Sequence, residues 1–298
     1  MRGYVYGQLC NVAKAGVWWV TFSPLVLALF TGFFPAIGFT RLVFNLALFL
    51  VSPWAGAMVG SWAVKTVLNF STILRLLVYV VFVPVSWLFL QTRYLKEWVD
   101  IDNKLFKYIF LGCFLLFVGI DGIAVSFSNL VDIDCGGLNL LANQLDVTVT
   151  DEDKERYASL HVAIFEGSMI VLAPLVALGC LIGENYYRTH DALILLIAMA
   201  TVYGLFSTLS LSWYNCGIPK VPLSFWHKRP SIPNDYCSQI CRSLGEGMEL
   251  CCSHRPLFWR LIFLCAETGF EDSVICLIIV AYAVNVSSSF RRTHGNRL

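Results

Sequence analysis

Apolar residues in this chain run in long unbroken blocks, with neither the strict alternation of a surface strand nor the one-sided stripe of a soluble amphipathic helix. Seven blocks stand out: residues 17–33, 42–67, 73–90, 105–131, 160–182, 192–211 and 257–284. Each approaches or exceeds the roughly 17–25 residues that a helix needs to cross about 30 Å of hydrocarbon. The pattern predicts an all-α polytopic membrane protein with about seven transmembrane helices. Tyr and Trp gather near several block ends (Trp18, Trp62, Tyr94, Trp98, Tyr186, Tyr187, Trp213 and Tyr214), as interfacial belts require. Pro24, Pro53, Pro84 and Pro174 fall within blocks and are expected to kink them.

The connections are uneven. Residues 34–41, 68–72 and 183–191 are short, so their flanking helices should form hairpins. Residues 91–104 and 132–159 are longer and polar, and 212–256 is the longest. A six-span group, a long polar loop, a seventh span and a short tail with Arg291, Arg292 and Arg297 match one lobe of a two-lobed carrier plus one helix. The expected division is 1–215 for the six-helix lobe, 216–256 for a cytosolic interlobe loop and 257–298 for the first helix of a second lobe with its tail.

Composition sharpens the picture. Apolar types make up 57% of the 298 residues and charged types 14%, about half the charge of a globular chain, and mean hydropathy is +0.68. This excludes disorder, nucleic-acid binding and a soluble enzyme fold. The net charge of +1 implies no bulk electrostatic partner. The 11 cysteines are odd in number and lie mostly inside apolar blocks, where Cys packs as a small hydrophobe, so no disulfide framework is expected. Lys and Arg are more frequent in segments that are internal if the amino terminus is cytosolic, which favours that orientation. The three tail arginines weigh against it.

Ionisable groups inside a bilayer are costly and therefore point to function. Asp121 falls in the fourth block, Glu166 in the fifth, and Glu267, Glu271 and Asp272 in the seventh. Glu166 and Asp121 are candidates for lining a substrate path, with Glu166 expected to face the lobe interior. The alternative is a structural pair with a Lys, an Arg or a backbone donor. No nucleophile elbow, His-Glu-x-x-His or phosphate loop accompanies them, so no enzymatic activity is expected. Cys276 is either a packed small residue or a soft metal ligand, with Asp272 four residues before it on the same helical face. Gly56-x-x-x-Gly60 predicts close helix packing. Cys237, Cys241, Cys251, Cys252 and His254 match no standard zinc spacing. They read as free cytosolic thiols, with palmitoylation of Cys251 and Cys252 as the alternative. The mixed charges of Asp151 to Arg156 read as a solvated inner loop.

Several stretches resemble the ferroportin family of iron exporters, a branch of the major facilitator superfamily. Tyr6-Gly7 through Trp18 resembles the family's first helix in its Gly-to-Trp spacing. Gly56-Ala57-Met58-Val59-Gly60-Ser61-Trp62 with Lys65 resembles the end of its second. Glu166 stands before Leu172-Ala173-Pro174 as a family aspartate stands before a similar Leu-Ala-Pro. Tyr214 with Pro219 resembles the exit of the sixth helix, and Pro256-Leu257-Phe258 followed by Cys276 resembles the start of the seventh and its metal-binding cysteine. The resemblance implies a major-facilitator helical bundle that moves Fe²⁺ as cargo by alternating access, with Glu166 on the path and Cys276 contributing a ligand. It also carries departures. The family's helix-one Asp and His correspond to Ala15 and Trp19, and its acidic loop residues to Ser61 and Val64. The family's later helices have no counterpart, which makes the chain read as an apparently truncated form.

The expected partners are therefore the lipid bilayer, a metal ion as substrate, and a second lobe or a further copy of the chain. No resident cofactor is expected. Two other readings stand beside the iron carrier: a major-facilitator carrier of another solute, and a non-transporting membrane protein that partners a full-length relative.

Overall fold

The computed structural model describes residues 1–30, 35–94, 104–132, 136–182 and 191–222, with scattered positions between 238 and 263. The chain forms two compact units, Met1–Asn234 and Asp235–Leu298. The described part of the first unit is an all-α polytopic bundle without a strand: α1 (Arg2–Leu29), α2 (Pro35–Ser61), α3 (Val64–Tyr94), α4 (Lys104–Leu130), α5 (Gly137–Leu145), α6 (Asp151–Ile182) and α7 (Asp191–Gly217). Among the described residues, four segments are long and apolar enough to cross a bilayer, which makes this a membrane protein: Ala36–Gly56, Val64–Phe89, Tyr108–Leu130 and Ile194–Gly217. Most of the expected seventh span, 257–284, lies outside the described residues.

The six long helices alternate in direction. Glycines let α1 and α7 approach closely: a Cβ on Gly3 would overlap the backbone of Gly217, and one on Gly7 would overlap the Tyr214 ring. The same device joins α2 and α4, where Gly122 meets the Phe44 carbonyl and Ala47. Small residues take this role in membrane bundles because lipid leaves close van der Waals packing as the main attraction. Gly56 does not take it: it is exposed, and a Cβ there would meet nothing within 4 Å. The packing glycines are instead those that another helix's backbone or side chain approaches directly.

Three boundaries differ from the sequence expectation, two because polar residues serve tertiary contacts and the third because polar residues cap and brace the helix locally. The second and third spans meet at Trp62–Ala63, not at 68–72. Asn69 and Ser71, polar enough to suggest a loop, lie inside α3 and hydrogen-bond to the Asn215 side chain on α7 and the Ala124 carbonyl on α4. α1 begins at Arg2, well before residue 17, because Gln8, Asn11 and Lys14 are buried against other helices. α6 begins at Asp151, so the mixed-charge run is exposed helix and not loop. Thr150 Oγ1 accepts the Asp153 N–H and donates to the Asp153 carboxylate, a reciprocal cap, and three acids in the first turn suit the helix dipole. Lys154 pairs with Asp151, and Arg156 with Glu152.

The nine-residue α5 lies within the stretch expected to be a connection. It buries Leu138, Leu141 and Ala142. Gln144 clasps the α2–α3 joint: its Nε2 donates to the Trp62 carbonyl and its Oε1 accepts the Val64 N–H. The start is fixed by Gly136 in the left-handed region at φ 82°, and by Gly137, where a Cβ would overlap the Val131 carbonyl.

Candidate functional site

Two apolar clusters fill the first unit at different heights. One joins Trp18 to Leu29 with Phe82, Phe89, Phe110, Phe114 and Met199. The other, at the end that holds the amino terminus, joins Tyr4, Val64, Leu68, Phe127, Leu141 and Tyr214. Between these heights on α1, α3, α4 and α7 lie Lys14, Ser71, Arg75, Asp121 and Ser207, all buried. Lys14 is about 16 Å along α1 from Gly3, and Ser207 about 15 Å along α7 from Gly217. Arg75 is about 16 Å from the start of α3, and Asp121 about 14 Å from the end of α4. Four helices thus bring polar groups to one depth, near the middle of a bilayer about 30 Å thick.

The geometry of this layer is specific. Arg75 Nε donates to Asp121 Oδ1 at 2.8 Å, and Arg75 Nη2 donates to the Tyr203 hydroxyl at 3.1 Å. The Arg75 guanidinium and the Lys14 ammonium lie 5.5 and 5.6 Å from the centroid of the same Tyr203 ring, a cation–π arrangement for each. Tyr79 packs on that ring at a 32° tilt, with centroids 3.8 Å apart. Lys14 has 0% exposure, and its Nζ donates to Ser207 Oγ at 3.4 Å, the long limit of a hydrogen bond. Asp121 Oδ2 is buried with no hydrogen-bond partner among the described residues. Beside Asp121 opens a cleft of about 20 Å³, room for one water, walled by Trp18, Phe22, Tyr79, Phe82 and Phe114.

Towards the amino-terminal end of the bundle lies a second, neutral network. Tyr4 Oη and Gln8 Nε2 both donate to the Val131 carbonyl, at 2.6 and 2.9 Å. That carbonyl just follows α4 and would otherwise be an orphan acceptor of the helix end. Asn11 Nδ2 donates to the Tyr214 hydroxyl at 2.7 Å, and Tyr214 donates to Gln8 Oε1 at 3.3 Å. His161 on α6 stands 3.4 Å from Asp132 after α4.

The residues singled out from sequence fare differently. Asp121 is buried in the layer, bound to Arg75. Glu166 is exposed on α6, not directed into the bundle interior. The interior-facing side of α6 at that level is occupied by the approach of Ser168 to Gly16, which leaves Glu166 on the outer side. Cys276 and Asp272 lie outside the described residues, as do Glu267, Glu271, Cys237, Cys251 and Cys252. Cys241 is an exposed free thiol and His254 is exposed. Among the described residues no group of three His, Cys, Asp or Glu side chains gathers to hold a metal ion. Sequence reasoning passed over Lys14 and Arg75, counting both as orientation signals on inner segments. Three residues into an apolar block an arginine reads as snorkelling to the interface, and only the start of α3 at Val64 puts Arg75 deep in the bundle. The chain matches no family model, no curated protein and no solved structure.

Proposed function

We propose that this chain acts as a membrane carrier that moves a solute by alternating access, with Fe²⁺ as the cargo that the ferroportin resemblance names. The observation that supports a carrier is the charged layer of Lys14, Arg75 and Asp121 at mid-bilayer depth, shared by helices that alternate in direction. Such charges are expensive in lipid and accumulate along transport paths. In this reading the bundle rocks against a second lobe, and the layer meets water first on one side and then on the other. Glu166, exposed on α6, would face the path between lobes. Cells expressing the chain should lose preloaded radiolabelled iron faster than control cells, and a Glu166→Ala/Cys276→Ala double variant should slow that loss at equal expression. Equal efflux from the two would count against metal use.

A second reading, a carrier of another solute, is favoured by one specific observation. The only carboxylate in the layer, among the described residues, is already bound to Arg75.

A further inference from the structure

We propose that the mid-depth layer is a binding site for a small monovalent anion, seated between the Lys14 ammonium and the Arg75 guanidinium. This rests on the carrier reading and names the class of its solute or co-solute. The argument is one of charge and donor supply. The layer holds two cationic side chains and one carboxylate, and that carboxylate is taken by Arg75 at 2.8 Å. The ammonium of Lys14 offers three donors, yet its one side-chain acceptor is a neutral hydroxyl at 3.4 Å. Buried charge is tolerated when it is paired and hydrogen-bonded, and Lys14 is neither fully paired nor fully bonded. Arg75 still has guanidinium donors beyond the two that serve Asp121 and Tyr203. Both cations address the same Tyr203 ring, from 5.5 and 5.6 Å, which makes their charges neighbours. An added negative charge brings the layer to neutrality, whereas an added Fe²⁺ would raise its excess. The cleft of about 20 Å³ beside Asp121 is lined by neither cation, so the anion is held by the Lys14 and Arg75 donors and not by that cleft.

The test uses the full chain in lipid nanodiscs, with thermal unfolding followed while sodium chloride or sodium acetate replaces sodium gluconate at constant ionic strength. The wild type should show a rise in melting temperature that sets in near the dissociation constant and grows with the logarithm of anion concentration, by about 2–4 °C at ten times that constant. Lys220→Met, at an exposed position, should show the same rise. Lys14→Met should show none. Because that variant could fail to fold, Ser207→Asp provides a second arm: it places a carboxylate beside the ammonium. It should raise the starting melting temperature and abolish the anion response. A wild type that gives no anion-dependent rise would overturn the proposal, as would a response that persists in both Lys14→Met and Ser207→Asp. So would a wild type stabilised by raised pH alone, equally in every salt. The carrier reading is tested separately by solute flux in proteoliposomes: an anion response without flux keeps the site and removes the carrier, and flux without the response does the reverse.

Discussion

The two buried polar regions of the bundle make opposite use of similar surroundings. The network around the Val131 carbonyl is uncharged, and its donors run in a chain from Asn11 through Tyr214 and Gln8 to a helix-end carbonyl. Its purpose is met within the protein: it satisfies backbone that would otherwise be stranded and ties α1, α4 and α7 together. The layer of Lys14, Arg75 and Asp121 is charged, unequal in sign and incompletely bonded. Structural economy accounts for the first region. It does not account for the second, because an apolar substitution there would pack as well without burying charge. Neutral networks that end on a helix-end carbonyl are best read as architecture, and buried charges of unequal sign as a site.

This contrast is sharpened first at Asp121, where the largest effect is expected. Asp121→Ala leaves Arg75 buried without its carboxylate and should cost about 3–5 kcal/mol, measured by thermal or denaturant unfolding in detergent or nanodiscs. A matched Arg75→Met/Asp121→Leu replacement should recover most of that loss while removing anion binding and transport. A double variant as unstable as Asp121→Ala would place the pair with the architecture.

A smaller effect is expected in the neutral network. Tyr214→Phe removes a hydroxyl that accepts from Asn11 and donates to Gln8, leaving both less satisfied, at about 1–2 kcal/mol. The same assay should show reduced stability with transport kinetics and anion response unchanged. Altered anion affinity in Tyr214→Phe would erase the distinction between the two regions.

The smallest effect lies outside the bilayer, at the start of α6. The Lys154 ammonium, by hydrogen bond and charge, holds the Asp151 carboxyl below its ordinary value. A lowered folded-state value means that the contribution is present above the unfolded value, about pH 4, and fades as pH falls through the folded one. Helix α6 should fray slightly below about pH 4 in the wild type, and hydrogen exchange should show no such step for Asp151→Asn. An equal step in both would assign it to Glu152 or Asp153.

The sequence was decisive where one physical term dominates. Long apolar blocks with sparse charge leave lipid as the only solvent for most of this chain, and backbone satisfaction in lipid then requires helices, so the all-α polytopic class follows from pattern alone. The same logic located Asp121 as an expensive residue. Helix ends and partners were another matter. Asn69, Ser71 and the polar run from Gln8 to Lys14 read as boundaries, because local polarity signals water unless another helix supplies the acceptor. Only the packed bundle places Ala124, Asn215 and Ser207 opposite them. For Gly56, spacing suggested packing, but whether a small residue is used depends on what stands across from it. Lys14, Arg75 and Asp121 are far apart in sequence, and their common depth arises from the lengths of four helices and three reversals of direction. Their charge imbalance is a property of that assembly, which no single segment carries.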